Sequence, residues 1–244
     1  MKKYYYDLHL HSCLSPCGDE DNTPCNIVGM AKLSGLDVIA LTDHNSCKNC
    51  TAFFSVAKRM GLIPIAGMEL TTSEDIHIVC LFEELEKALA FDEYINERRL
   101  KIKNKPEFFG RQIVLDAEDN LISEIDDLLI NATNISVSEI KDTVEKYDGV
   151  CYPAHIDRES NGIIAVLGAL PKEPRFDFFE LHDGARINEF STHYGIPKDR
   201  FIVSSDAHYL TDIRDGEFYF EICESTDDSE IRRQIFEILR SARR

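Results

Sequence analysis

The chain has 244 residues, 43% of them hydrophobic, with eight cysteines and 44 acidic against 27 basic side chains, a formal net charge of -17. A surface that acidic repels a phosphate backbone, so long nucleic acid is not expected as a partner; a small phosphorylated substrate stays open, because bound cations reverse a local field. No apolar run is long enough to span a membrane and Met1 to Asp7 lacks a secretory signal, which points to a cytoplasmic protein with free or metal-ligating thiols rather than disulfides.

In chain order, a first strand is expected from about Lys3 to His11 and contains Asp7-Leu8-His9-Leu10-His11-Ser12. Strand side chains alternate faces, which puts Asp7, His9 and His11 on one side. Two imidazoles so placed can converge on a metal ion, with a carboxylate orienting them from behind. Ser12 to Asn22 is a loop rich in Cys, Pro, Gly and acids. Thr23-Pro24 opens a helix that Gly35 closes. The apolar run Val38 to Leu41 suits a parallel strand covered on both faces, and it ends in Thr42-Asp43-His44-Asn45. A helix over Cys50 to Met60 stops at Gly61. A third strand, Leu62 to Ala66, ends in Gly67-Met68-Glu69, and a fourth, Asp75 to Phe82, includes His77. A charged helix from about Glu83 to Lys101 reads as a solvated face.

Pro106 to Ile130 breaks this rhythm. Arg111 to Leu115 and Leu121 to Ile125, joined by Asp116-Ala117-Glu118-Asp119-Asn120, suggest a hairpin. The region of about 100–135 is expected to be an insertion in a single 1–244 domain, and a lid over the site is one role for it. Alternation then resumes: a helix from Ser136 or Ser138 to Tyr147, a strand from Val150 to Pro153 reaching His155, and a helix over Asn161 to Leu170. After these come a strand from Phe176 to Leu181 ending near His182, a helix over Ala185 to Tyr194, and a strand from Phe201 to Ser204 ending at Asp206 and His208. A last strand over Glu217 to Ile222 precedes a C-terminal helix capped by Asp228, with a basic end that suits its dipole. Such alternation argues for a parallel α/β fold, and seven or eight units fit a barrel better than a doubly wound sheet. No Gly-x-Gly-x-x-Gly follows a strand, so a dinucleotide fold loses support.

The ligand-type residues fall at strand ends: His9, His11, His44, Glu69, His77, His155, Asp206 and His208. In a β/α barrel those ends share one face, where the active site sits. Six of the eight histidines occupy such positions; His193 looks like a helix-surface residue and His182 is ambiguous. Imidazole and carboxylate donors suit zinc, manganese or iron. This many donors exceed one ion and fit two or three, with a carboxylate such as Glu69 bridging. Adjacent ions deprotonate a water and clamp phosphate oxygens. The plainer alternative is that some of these histidines only support others or pack in the core.

Asp7-x-His9-x-His11-Ser12, Thr42-Asp43-His44-Asn45, Ala154-His155 and Ser205-Asp206-Ala207-His208, with Gly67-x-Glu69 and His77 between them, resemble the motifs of the PHP (polymerase and histidinol phosphatase) family. The resemblance covers most of the chain outside about 100–135. It implies a distorted (β/α)7 barrel of TIM-like kind and a trinuclear metal site. One ion would lie on His9, His11, Glu69 and Asp206, and a second on Glu69, His77 and His155. The third would use His44, His208 and a residue of the loop after His11. That loop departs from the commonest pattern: Cys17 stands six residues after His11, with Asp19, Glu20 and Asp21 following. Cys17 is favoured as the ligand, and Asp19 is the alternative; a thiolate would bias the site toward zinc or iron over magnesium.

Cys47-Lys48-Asn49-Cys50 has metal or redox spacing, but incidental thiols are the favoured reading. Arg158 lies one loop beyond His155, placed either to grip a substrate phosphate or to pair with Asp157 or Glu159; Arg186 and Lys198 are weaker versions of the same idea. His182 is a candidate proton donor to the leaving group, or a structural residue. The expectation is a metal-dependent phosphoesterase using a metal-bridging hydroxide on a small phosphate ester such as a nucleotide or sugar phosphate. Arg158 would steady the charge on the phosphate oxygens, Asp206 would take the proton, and Asp7 and Asp43 would orient ligands. Alternatives are histidinol phosphatase, a short-oligonucleotide phosphodiesterase or exonuclease, and, from another class, a non-catalytic metal-binding regulatory module. An amidohydrolase lacks support, because no lysine or carboxylated bridge is evident after a mid-barrel strand.

Overall fold

A computed structural model describes residues 1–240. In chain order, β1 (Lys2–Leu10), α1 (Pro24–Leu33), β2 (Val38–Leu41), α2 (Cys50–Met60), β3 (Ile63–Thr71), β4 (His77–Phe82) and α3 (Leu85–Asn96) make the first half. Then come α4 (Pro106–Phe109), β5 (Ile113–Leu115), β6 (Leu121–Glu124), α5 (Val137–Glu145), β7 (Val150–Pro153) and α6 (Ile163–Leu167). The chain continues with β8 (Phe179–Leu181), α7 (Ile187–Tyr194), β9 (Phe201–Val203), β10 (Tyr219–Ile222) and α8 (Asp228–Arg240).

A six-stranded sheet runs in the order β10-β1-β2-β3-β4-β7, and β8 and β9 form a separate parallel pair. A single parallel bridge, Leu10 to Ala207, joins the end of β1 to the segment after β9. The fold is mixed α/β with a curled, half-barrel sheet. One layer of side chains from successive strands, including Leu8, Ala40, Ile65, Val79, Tyr152 and Ile202, packs against Ile231, Ile235, Phe236 and Leu239 of α8. A second apolar layer lies between the strands and α1, α2, α3 and α5. These strands form because their apolar runs are covered on both faces; every residue of β2, β3 and β4 is buried.

The sheet is not purely parallel, contrary to the expectation from alternation. β1 and β2 pair parallel, as do β2 and β3, but β3–β4, β4–β7 and β1–β10 are antiparallel. Residues 72–76 between β3 and β4 are too few for a crossover, so the chain must turn back on itself. Helix α3 stops at Asn96, short of Lys101. From Leu100 the chain instead bonds to the 126–132 segment, through Leu100 N to Ala132 O, Leu128 N to Ile102 O and Asn104 N to Asp126 O. Helix α6 is shorter than expected because Gly168, at φ 76°, ends it. Helix α5 starts at Ser136, whose N–H donates to Glu139 Oε2 at 3.1 Å. The end of the basic C-terminal stretch, residues 241–244, lies outside the described residues.

The hairpin β5–β6 packs on the loop after β1: Ile113 and Leu115 on Cys13, Val114 on Leu14. Buried Asn49 pins it there, donating to Ile113 O at 3.0 Å and to Ser12 Oγ at 2.9 Å and accepting from Leu115 N at 3.0 Å.

Candidate metal centre

The end of β1 presents His9 and His11 with their Nε2 atoms 3.1 Å apart. Each ring is held from behind. His9 Nδ1 meets Glu180 Oε1 at 2.9 Å, and His11 Nδ1 meets Ser15 Oγ at 2.9 Å. Ser15 in turn donates to Asp43 Oδ1 at 2.7 Å, and Asp43 also accepts from Ser12 N and Ser12 Oγ at 2.7 Å. Such outer partners fix ring orientation and leave the inner nitrogen free for a cation.

Glu69, on β3, sits among five imidazoles. Its Oε1 is 3.4 Å from His9 Nε2, 2.9 Å from His77 Nδ1 and 3.1 Å from His155 Nε2. Its Oε2 is 3.3 Å from His11 Nε2 and 3.0 Å from His44 Nδ1. Asp206 Oδ1 completes the cluster at 3.3 Å from His9 Nε2, 3.2 Å from His11 Nε2 and 3.6 Å from His208 Nδ1. Three groups of donors lie within 4.8 Å of one another: His9/His11/Glu69/Asp206, His44/Glu69/His77 and His11/His44/His208.

The donor chemistry fits divalent cations. Buried atoms His44 Nδ1, Glu69 Oε2 and Asp206 Oδ1 have no hydrogen-bond partner, an arrangement that is costly unless an ion satisfies them. Without an ion the cluster competes for protons. Burial opposes a charge on His9, but Glu180, Glu69 and Asp206 outweigh it and hold the ring well above its usual range. Burial likewise opposes His11, yet its bonds to Asp206 and Glu69 push it up to about 9. Burial dominates at His44 and His208, which fall to about 3 and about 4. Glu69 is buried too, but His77, His9 and His44 hold its carboxyl well below the usual range. Two residues adopt backbone conformations rare for non-glycine residues, His155 at φ 27° and Asp206 at φ 52°; such strain marks positions where the surrounding fold forces a side chain inward.

The first expected ligand set comes together as one group, His9, His11, Glu69 and Asp206. In the second, His44 replaces His155 beside Glu69 and His77, while His155 still reaches Glu69. In the third, His11 stands where Cys17 was expected. Cys17 is exposed and belongs to none of the groups. The alternative, Asp19, turns its carboxylate to Asp21 N, while its own N–H bonds to His208 O. Asp7 is buried and accepts from His9 N at 3.3 Å and Ser205 N at 3.2 Å, and the pairing of β1 with β2 shifts register between Asp7 and Leu10.

Arg158 bonds to Asp206 Oδ2 rather than to Asp157 or Glu159, and its Nη2 lies 3.0 Å from His182 Nδ1. Arg214, which the sequence reading passed over, brackets the same ring, with Nη1 2.6 Å from His182 O and Nη2 2.8 Å from Nε2. Burial and the two guanidiniums lower the pKa of His182. Glu180 was also missed. It is fully buried and accepts from both His9 Nδ1 and His155 N, and its one signal in the sequence is an acid inside the apolar run Phe178-Phe179-Glu180-Leu181. Arg186 is spent on Glu189 and Asp157 O, and Lys198 is exposed in a short turn; neither joins the cluster. Cys47 and Cys50 are buried free thiols, with Cys47 Sγ 3.1 Å from Gly67 O.

The PHP domain family matches residues 7–158. The uncharacterized protein MJ1587 of Methanocaldococcus jannaschii is 33% identical over 101 residues, covering 37% of this chain and 58% of that one. A 5'-3' exoribonuclease of Haemophilus influenzae is 37% identical over 79 residues, 31% of this chain and 28% of that one. Among solved structures, the lesion-specific endonuclease EndoQ of Pyrococcus furiosus superposes with a TM-score of 0.61 at 20% identity, over 96% of this chain and 56% of that one. This chain thus spans little more than half the length of MJ1587 and of the endonuclease.

Endonuclease Q has also been solved with a 27-mer duplex whose abasic lesion lies at its active site. The exclusion of long nucleic acid drawn from net charge is therefore corrected. A charge of -17 is a sum over the whole surface, whereas phosphates are met locally by cations and guanidiniums at a cavity. The matched motifs and the fold that carries them make this chain a member of the PHP domain family.

Proposed function

We propose that the chain hydrolyses a phosphoester of the nucleotide type, with two or three divalent cations (zinc, manganese or iron) held around Glu69. The position of Glu69 carries this reading: one buried carboxylate within 3.4 Å of five imidazole nitrogens, with two oxygens to share. The cations supply an activated water and Lewis-acid charge on the phosphate oxygens. The protein does the rest. His9, His11 and Asp206 hold one position, His44 and His77 a second, and His208 completes a third with His11 and His44. Asp206 Oδ1 lacks a hydrogen-bond partner and lies 3.2 Å from His11 Nε2, which suits it to accept the proton of the attacking water. Arg158, released from Asp206 by a substrate, binds the phosphate oxygens through two N–H donors. His182, lowered between Arg158 and Arg214, is neutral at pH 7 and positions Arg158 better than it donates a proton.

Relatives that cut ribonucleic acid and DNA favour a phosphodiester over a simple monoester as the bond broken. The test compares bis-(p-nitrophenyl) phosphate with p-nitrophenyl phosphate, before and after chelation and reloading with manganese or zinc. Metal-restored diester hydrolysis exceeding monoester hydrolysis is the expected result. Hydrolysis of the monoester alone points to a small-substrate phosphatase, and no hydrolysis of either by a fully loaded protein points to a regulatory metal-binding module.

A further inference from the structure

Within an acidic chain, residues 98–111 are an anomaly: Arg98, Arg99, Lys101, Lys103, Lys105 and Arg111 against a single acid, Glu107. The two arginines at its start are used internally. Arg98 stacks on Tyr94 with Cζ 3.5 Å from the ring centroid, and Arg99 is buried against Asp127 O. Lys101, Lys103 and Lys105 are exposed; Lys101 Nζ also reaches Asn96 Oδ1 at 2.7 Å and Asp127 Oδ2 at 3.7 Å, surface contacts that a phosphate can displace. The three are spaced two apart where the chain lies extended beside 126–133, about 7 Å between successive lysines. Helix α4 follows at once and exposes two neighbouring aromatic rings, Phe108 at 77% and Phe109 at 46%. Exposed rings of this size are unusual, and cations interleaved with aromatics are the footprint of a nucleic-acid surface.

The patch borders the metal centre. Gly110 lies against Pro16, where an added Cβ would come within 2.7 Å of its carbonyl oxygen. Ile113 N donates to Cys13 O at 2.9 Å, and Arg111 Nη1 is 3.4 Å from Glu20 Oε2. The same loop carries Ser15 on His11, and Asp19, whose N–H bonds to His208 O.

We propose that residues 98–111 are a docking strip for one strand of nucleic acid. Its phosphates follow Lys101, Lys103 and Lys105, and its bases stack on Phe108 and Phe109 as the strand leads into the metal centre. This rests on the phosphoester reading above and names the substrate class for that site. A single strand is favoured because stacking needs open base faces, which a duplex hides. Three outward lysines suit a footprint of a few phosphates.

The test measures fluorescence anisotropy with labelled 12-nucleotide single-stranded DNA, single-stranded RNA and the matching duplex, in chelator so that nothing is cut. It uses the whole chain as wild type, as Phe108→Ala/Phe109→Ala and as Lys101→Glu/Lys103→Glu/Lys105→Glu. Expected are tighter binding of a single strand than of the duplex, at least tenfold weaker binding in each variant, and a shallower salt dependence in the lysine variant. The two single strands distinguish RNA from DNA as the occupant. In the metal-loaded protein, the ratio of oligonucleotide to bis-(p-nitrophenyl) phosphate hydrolysis falls at least tenfold in both variants. Single-strand binding within twofold of wild type in both variants overturns the proposal. So does equal binding of the duplex, or a change in oligomeric state of the phenylalanine variant with oligonucleotide affinity intact, which makes the patch a contact between copies. Oligonucleotide binding lost in the variants, in a protein that hydrolyses no phosphoester at all, upholds the strip and removes the catalytic reading instead.

Discussion

Glu180 Oε1 lies 2.9 Å from His9 Nδ1, and neither side chain is reached by solvent. A carboxylate behind a ligating imidazole fixes the tautomer and raises the basicity of the nitrogen that faces the ion. Glu180→Gln keeps the shape and removes the charge. It is expected to weaken divalent-ion binding by about 10–100-fold, read by competition with a chromophoric chelator. Unchanged affinity would show that His9 does not face a cation.

Arg158 pairs with Asp206 at the edge of the cluster. Arg158→Ala should lower kcat/KM for a phosphodiester by about 100-fold while metal content stays at the wild-type level. Arg158→Lys should recover only part of this, because an ammonium cannot donate in the paired geometry of a guanidinium. Parallel loss of metal and activity in Arg158→Ala would instead make the arginine a support for Asp206.

In the metal-free protein His11 is raised from 6.5 to about 9. A folded value above the unfolded one means that its contribution to stability is complete below about pH 6.5 and is lost as pH rises through about 9. Cations compete for the same nitrogens, so metal binding strengthens between pH 6 and pH 8 and releases protons. Thermal melts should show the metal-free protein losing stability between pH 7 and pH 9.5, and the loaded protein losing less. Titration calorimetry in buffers of different ionisation enthalpy checks the proton release. A metal-free melting temperature that climbs over this range contradicts the account.

Asn49 ties the β5–β6 hairpin to the loop carrying Ser12 by three side-chain hydrogen bonds. Asn49→Ala leaves buried groups without partners and should cost about 2–4 kcal/mol of unfolding free energy, measured by urea denaturation. Activity per folded molecule should fall as well, because Ser12 and Ser15 share Asp43 and Ser15 holds His11.

Much of the centre was legible in the sequence, because its donors sit at strand ends in short motifs, and strand ends gather on one side of a curled sheet. His9, His11, His44, Glu69, His77, Asp206 and His208 all enter the donor groups. What escaped the sequence has physical causes. The pairing of β1 with β2 shifts register after Asp7, and a period-two pattern carries no sign of such a shift. The turn between β3 and β4 made two strands antiparallel, since His77 sits on β4 paired opposite Thr71 at the end of β3 rather than after a crossover. Glu180 reaches His9 from more than 150 residues away in the chain and Arg214 reaches His182 from more than 30, so no local spacing announces them. Cys17, favoured for its place in the chain, is exposed and stands outside the donor groups.

The most direct test of the account is to measure metal content and diester hydrolysis on the same preparations of wild type and Glu69→Gln. The account predicts two or more divalent ions per wild-type chain, with activity that chelation removes and reloading restores. Glu69→Gln should hold fewer ions and hydrolyse the diester at least about 1000-fold more slowly. Wild-type protein that takes up no divalent ion, or a metal-free preparation that cuts the diester at the full rate, would contradict it.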